Sequence, residues 1–188
     1  MQELRPGLYR WTAPHPEWEP GAEKDSPGDW PRDVGCVAYD AGDVVVLVDP
    51  LVDDWRPLDA IVARRPVALV TTMPGHERSK GEVGARYPAA APRGVEPVEI
   101  RGAGETMVWI PEHRALVPGD RLIGDEAGGV RMCPPSWLRY SSIAHDELRE
   151  ALLPLLDLPV DLILVTHGEP VLTDGHAALE RALRPIAK

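Results

Sequence analysis

The chain has 188 residues, 44% of them hydrophobic and 27% charged, which is enough for one domain with a substantial core. Its formal net charge is −10, and it has no basic stripe, so we expect neither nucleic acid nor an anionic membrane as a partner. No stretch is long and apolar enough to cross a bilayer, and the first residues lack the apolar centre of a secretion signal, so the expected location is cytoplasmic. In that compartment the two cysteines, Cys36 and Cys133, are expected to be buried thiols.

The hydrophobic pattern predicts a single α/β domain over residues 1–188, with a long loop at 13–33 that flanks a cleft. Residues 121–145 are predicted to be irregular. The pattern allows two sheet layers with helices outside, or a three-layer α/β sandwich. The predicted elements, in chain order, are strands at 7–12, 34–39 and 44–48, a helix near 58–62, a strand at 67–70, a helix near 78–87, strands at 97–100, 106–110 and 115–117, a helix near 148–155, a strand at 162–165 and a closing helix with Leu179, Ala182, Leu183 and Ile186 on one face.

Three of the predicted strands run into polar residues of catalytic type. The first of them leads to His76 and Glu77, and the other two lead to Asp120 and to His167. Ligands collect at the carboxyl ends of strands in layered α/β folds, so we expect these side chains to meet at one sheet edge. All of them can coordinate a metal ion. The structural alternatives are a turn cap for Asp120, a helix-start residue for Glu77 and a core histidine for His167.

Five segments, taken together, follow the order of a known family. They are a hairpin that ends in Val48-Asp49-Pro50, a strand that ends in Thr71 before a turn and a helix, the segment Pro118-Gly119-Asp120, the segment Thr166-His167-Gly168, and a terminal helix. This order resembles the metallo-β-lactamase superfamily over most of the chain. The resemblance implies a four-layer αββα sandwich and a short hydrolase-like member with a degenerate metal-binding motif.

The resemblance also implies that half of the family's dinuclear metal site is missing. That family binds one metal through three histidines and the other through an Asp-His pair and a late histidine, with the Asp of Gly-Asp bridging both. If Thr71 matches the threonine before the motif, Thr72 and Pro74 replace the first two histidines, and no histidine stands near 101–105 for the third. A shift of one residue would place His76 on the last histidine of the motif. The residues that remain for a single site are His76, Glu77, Asp120 and His167.

Two hypotheses of function follow from the resemblance. In the first, one divalent metal, Zn²⁺ or Fe²⁺, carries a hydroxide that hydrolyses small esters, thioesters or lactones. The catalytic Asp120 orients that hydroxide and passes a proton to the leaving group. In the second, the protein holds no metal, has no activity and binds a small molecule or a protein. Arg78 then forms an ion pair with Asp120 in place of the metal charge. The sequence leaves the substrate and the oligomeric state open.

Several other residues have predicted places. Asp49 is interpreted as a structural turn residue with Pro50. His113 lies in a polar turn and is expected to be solvated, whereas His15 lies in the long loop, where nothing in the sequence fixes it. The residues assigned to the cleft are Trp18, Trp30, Arg78 and Trp137.

Overall fold

The computed structural model describes residues 1–184, so Ile186 of the closing helix lies outside the described residues. Eleven strands and four α-helices are found in that part of the chain. Their bounds are β1 (Gln2–Arg5), β2 (Leu8–Pro14), β3 (Asp33–Asp40), β4 (Val45–Val48), α1 (Trp55–Val62), β5 (Val67–Val70), α2 (Lys80–Arg86), β6 (Glu96–Ile100), β7 (Glu105–Ile110), β8 (Ala115–Val117), β9 (Leu122–Asp125), β10 (Gly129–Met132), α3 (His145–Leu152), β11 (Leu162–Ile163) and α4 (Gly175–Ala182).

The first sheet has the order β1-β2-β3-β4-β5. Its strands are antiparallel except for β4 and β5, which pair in parallel. A parallel pair needs a crossover connection, and α1 provides it. This helix begins after Asp54, whose side chain accepts the backbone N–H of Arg56, and it ends at Ala63 in the left-handed conformation.

The second sheet has the order β11-β8-β7-β6, with β11 parallel to β8. Strands β9 and β10 form a separate antiparallel hairpin. The prediction of irregular structure from residue 121 onward was therefore wrong for this hairpin. Each of its strands has four residues including a glycine, Gly124 or Gly129, and such short strands leave little alternation in the sequence.

Alternating side chains divide the apolar residues among three cores. In β4, Val46 and Val48 belong to the core between the two sheets. Val45 and Leu47 point the other way and pack with apolar residues of α1 and α2. Alternation in β7 likewise sends Trp109 into a third core, shared with α3 and α4. The helices thus cover the outer faces of two packed sheets, and the expected four-layer αββα sandwich is confirmed.

Cys36 and Cys133 are both free and buried, as expected. Within residues 1–184, no helix combines the length and the apolar character that a bilayer crossing requires.

Candidate metal centre and cleft

Three side chains of ligand type meet beyond the ends of β5, β8 and β11. They are His76, Asp120 and His167, and their ligand atoms all lie within 4.8 Å of one another. The Nε2 atom of His76 is 3.1 Å from Oδ1 of Asp120, and the Nε2 atom of His167 is 3.2 Å from the same oxygen. Both histidines are buried. The structure thus brings these three predicted residues together at one sheet edge.

The Oδ1 atom of Asp120 is buried but has no well-aligned hydrogen bond from any described residue. Two imidazole nitrogens lie at hydrogen-bonding distance, yet neither contact has the orientation of a hydrogen bond. An unsatisfied buried polar atom is costly, and such atoms mark strain, a bound ion or a functional group. Two imidazole nitrogens and a carboxylate oxygen that converge in this way are a donor set suited to one divalent ion, Zn²⁺ or Fe²⁺.

Asp49 holds the ring of His76 from the opposite side. Its carboxylate lies 2.8 Å from Nδ1 of His76 and accepts the backbone N–H and the hydroxyl of Thr72 at 2.9 and 2.5 Å. When Nδ1 donates to Asp49, the lone pair of Nε2 faces Asp120, which is the usual arrangement of a metal-binding histidine and a supporting carboxylate. Asp49 does occupy a turn, with a left-handed φ of 47°. Its carboxylate also orients His76, a role that the sequence did not predict.

The charges of this group perturb one another strongly. Burial lowers the pKa of His76, but the carboxylates of Asp49 and Asp120 outweigh it and raise that pKa to about 9. Burial raises the pKa of Asp120, whereas His167 and His76 pull it well below its usual range. Burial also lowers the pKa of His167. With protein groups alone, the cation beside Asp120 is therefore a protonated His76.

Arg78 does not form the expected ion pair with Asp120. Its Nη1 atom instead donates to the carbonyl oxygens of Gly35 and Asp49, at 3.2 and 2.8 Å. Glu77 does not join the metal-type group either. Its side chain is 68% exposed and contacts Nζ of Lys80 at 3.0 Å, because the short 3₁₀ helix that ends at His76 turns the next residue outward.

The positions expected for the first metal site hold no replacement ligands. The hydroxyl of Thr72 is used by Asp49 and also lies 3.1 Å from Nδ1 of His76. Pro74 begins the 3₁₀ helix and has no donor atom in its side chain. Among residues 1–184, no further histidine, cysteine or carboxylate completes a metal-type group here.

Glu105, like Asp49, supports the site in a way that the sequence did not predict. It lies at the start of β7, is buried, and accepts the backbone N–H groups of Gly119, Asp120 and Arg121 at 3.0, 2.7 and 2.9 Å. Burial raises its pKa to about 7, with the nearby charge of Asp120 as the next cause. A Cβ atom on Gly119 would stand 2.8 Å from Oε2 of Glu105, so this turn also needs glycine. Glu105 therefore fixes the turn that presents Asp120.

His167 is fixed by a close approach of two glycines. Its carbonyl oxygen accepts the backbone N–H of Gly124 in β9 at 2.8 Å. Gly168 has a φ of 87°, and a Cβ atom there would lie 3.0 Å from Cα of Gly124. A Cβ atom on Gly124 would meet the backbone nitrogen of Glu169 at 2.7 Å. The β9–β10 hairpin thus helps to place His167.

The metal-type group opens into a cleft of about 220 Å³. Trp30 and Trp137 stand beside the ring of His167, with ring centroids 5.6 and 5.2 Å away. Both line the cleft, as does Arg78. Trp18, which was assigned to the cleft, is not among its lining residues, since its indole donates to the carbonyl of Trp30 and supports that residue from behind.

The loop between β2 and β3 forms one wall of this cleft. His15 lines the cleft with its ring edge-on to Trp30 at 5.0 Å, so a contact that the sequence did not show fixes its place. The indole of Trp137 donates to the carbonyl of Ser26 at 2.8 Å and ties the loop to the facing wall. His113 lies elsewhere, buried against Tyr39 at 5.5 Å. The expectation that it is solvated was wrong, because its turn folds back onto the first sheet.

Comparison with known proteins gives matches of structure only. No family model matches the sequence, and no curated protein gives a significant match. The chain is similar to a metallo-beta-lactamase from Erythrobacter litoralis, with 18% identity, a TM-score of 0.59, and coverage of 97% of this chain and 93% of the other. It is also similar to the DIM-1 metallo-beta-lactamase, with 13% identity, a TM-score of 0.62 and coverage of 97% and 94%. A metallo-beta-lactamase from Hirschia baltica matches at 14% identity, a TM-score of 0.55 and coverage of 99% and 98%. Together with its four layers and the donor group at the sheet edge, these matches show that the chain has the metallo-β-lactamase fold.

Proposed function

We propose that this protein is a hydrolase that holds one divalent metal ion through His76, Asp120 and His167 and cleaves small esters, thioesters or lactones. The observation that carries this proposal is the buried Oδ1 atom of Asp120, which two imidazole nitrogens approach to 3.1 and 3.2 Å without a well-aligned hydrogen bond. If the two imidazole groups donated well-aligned hydrogen bonds, they would satisfy this oxygen without a metal. A bound cation satisfies all three atoms at once.

The protein groups around this site have distinct tasks. A divalent ion held by His76, Asp120 and His167 would supply a Lewis acid that makes water nucleophilic near neutral pH. Asp120, whose pKa lies well below its usual range, is ionised at neutral pH and would accept a hydrogen bond from a water molecule in the cleft. Asp49 keeps the His76 ring in one orientation, and Trp30 and Trp137 keep bulk water from His167.

The substrate class is limited by the cleft. Its volume of about 220 Å³ suits a small molecule, and its walls combine indole rings with a few polar groups. The acidic protein disfavours polyphosphates and similar polyanions. We keep the cytoplasmic location as part of this proposal, supported by two buried cysteines that remain free.

Metal analysis of freshly purified protein tests the proposal most directly. We expect about one equivalent of Zn or Fe per chain, because the donor set offers one site. Hydrolysis of nitrophenyl acetate should be slow but measurable, should stop after a chelator, and should return with added metal. Activity that survives metal removal would assign the hydrolysis to a contaminant or another site.

A second candidate function is a metal-free protein that binds a small molecule. The observation in its favour is the hydrogen-bonded chain Thr72–Asp49–His76, which holds the His76 ring against Asp120 through protein groups alone. Purified protein with no metal and no activity, and with no uptake of Zn²⁺ at equilibrium, would favour this function over hydrolysis.

A further inference from the structure

The two histidines of the metal-type group are held in different ways. Nδ1 of His76 lies 2.8 Å from the Asp49 carboxylate, so a side chain fixes the orientation of that ring. Nδ1 of His167 is buried and has no hydrogen-bond partner among the described residues. The place of the His167 ring therefore depends on its backbone and on the two indole rings beside it.

Arg10, in β2, binds the backbone on both sides of His167. Its Nη2 atom donates to the carbonyl oxygens of Val165 and Gly168, both at 3.3 Å. Hydrogen bonds from a charged donor are stronger than those between neutral groups. One nitrogen atom of the first sheet thus limits how far the segment that carries His167 can move.

Gly35, in β3, holds the same segment at a second point. Its backbone N–H donates to the carbonyl oxygen of Thr166 at 2.7 Å. A Cβ atom on Gly35 would lie 2.5 Å from the carbonyl oxygen of Val165 and 2.9 Å from Nη2 of Arg10. A glycine inside a strand often marks such a close approach of another backbone. Any side chain at this position would push the segment at 165–168 away from the first sheet.

Gly35 also contacts the part of the chain that carries the other histidine. Its carbonyl oxygen accepts a hydrogen bond from Nη1 of Arg78 at 3.2 Å. The same nitrogen donates to the carbonyl oxygen of Asp49 at 2.8 Å, and Arg78 follows His76 by two residues. The N–H of Gly35 therefore faces one histidine segment, and its carbonyl oxygen is linked to the other.

We propose that Arg10 and Gly35 are positioning residues of the site, which hold the backbone of His167 and thereby keep its Nε2 atom 3.2 Å from Oδ1 of Asp120. They do through the backbone of His167 what Asp49 does through the side chain of His76. Neither residue lines the cleft, so both act through His167. Binding of a metal at this place rests on the proposed function, whereas the placement of the ring does not.

The test records the imidazole C–H signals of His167 by NMR in chelator-treated protein, and His167→Gln identifies these signals. The two indole rings lie 5.6 and 5.2 Å from the imidazole, so their ring currents make the signals sensitive to a small displacement. Arg10→Gln and Gly35→Ala should both shift the His167 signals. The signals of His176, in α4, should stay unchanged in both variants.

Arg5→Gln is the matched control. Arg5, in β1, also donates to a backbone carbonyl, that of His113 at 2.6 Å, and neither residue lines the cleft. This variant should also lose stability in urea unfolding, yet it should leave the His167 signals in place. If Gly35→Ala does not fold, Arg10→Gln alone decides.

Zn²⁺ affinity, measured by competition with a chelator, gives a second readout. Arg10→Gln should lower this affinity by about 10- to 100-fold, as for other groups that orient a ligating histidine. Arg5→Gln should not lower it.

Unshifted His167 signals in Arg10→Gln would overturn the proposal, as would an equal shift in Arg5→Gln or in the His176 signals. An unchanged Zn²⁺ affinity of Arg10→Gln, when the wild-type protein does bind Zn²⁺, would also overturn it. A wild-type protein that binds no metal refutes the proposed function instead. Shifted His167 signals in that protein would still support the positioning role of Arg10 and Gly35.

Discussion

The two ends of the sheet edge differ in how their polar atoms are satisfied. On the side where the resemblance places a first metal site, the polar side-chain atoms of Thr72 and Glu105 form hydrogen bonds within the protein. On the other side, Asp120 Oδ1 and the imidazole nitrogens converge without well-aligned hydrogen bonds. The comparison teaches that the polar atoms on the first side are satisfied within the protein, whereas Oδ1 of Asp120 on the other side is not. The second side is therefore the better candidate for function.

Removal of the Asp120 charge is expected to have the largest effect. Asp120→Asn keeps the shape of the side chain but loses the anion between two imidazoles, so metal content should fall and kcat/KM for nitrophenyl acetate should drop by about 100-fold or more. Asp125→Asn, at the end of β9, is the matched control. Full activity in Asp120→Asn would show that the unsatisfied side of the edge is not the reaction centre.

The next largest effect is expected at Asp49. Asp49→Asn weakens the acceptor that orients His76, so metal affinity should fall by about 10- to 100-fold, as for other carboxylates that support a ligating histidine. Competition with a chelator of known Zn²⁺ affinity measures this. An unchanged affinity, together with an unchanged melting temperature, would mean that the His76 ring is held without Asp49.

Glu105 tests the satisfied side of the comparison. Glu105→Gln replaces one acceptor oxygen with an NH₂ group that faces a backbone N–H, which should lower the free energy of unfolding by about 1–3 kcal/mol. Urea unfolding followed by circular dichroism checks this value. Glu99→Gln, at an exposed position of β6, serves as the control and should have no such effect. Equal stabilities for the two variants would show that Glu105 does not support the turn that presents Asp120.

The smallest effect is expected at an ordinary ion pair far from the cleft. Hydrogen bonds from Arg86 and then from Tyr87 lower the pKa of Asp59 from its usual 3.8 to about 2. The folded state favours the ionised form, so this stabilisation is present above about pH 4 and is lost as the pH falls toward 2. Thermal melts of Asp59→Asn should match the wild type at low pH and fall slightly below it at neutral pH. A variant that is less stable at every pH would assign the effect to packing instead.

The sequence predicted the parts of the site that follow from strand ends. His76, Asp120 and His167 each come after an apolar run, and this pattern was enough to place them at one edge. It did not predict Asp49 or Glu105 as supporting residues, because their partners lie 27 and 15 residues away in the chain. Such contacts arise from strand pairing and turn geometry, which no local pattern records.

The incorrect expectations have local physical causes. Glu77 was grouped with His76 because the two are neighbours in the sequence. In the 3₁₀ turn, however, consecutive side chains point in different directions, so His76 is buried and Glu77 is exposed. The ion pair between Arg78 and Asp120 was expected from charge alone. In the structure, the Arg78 guanidinium instead donates to backbone carbonyl oxygens. The β9–β10 hairpin was missed because two four-residue strands with a glycine each carry almost no periodicity.

That hairpin has a consequence for how the protein tolerates change. His167 is positioned through the contact between Gly124 and Gly168, neither of which carries a side chain able to bind anything. In a saturation mutagenesis screen for hydrolysis, both glycines should therefore rank beside the ligands in intolerance, and the hairpin tip at 126–128 should accept insertions freely. Residues sensitive to mutation would then include part of the β9–β10 hairpin, although this hairpin contributes no chemical group to the reaction centre.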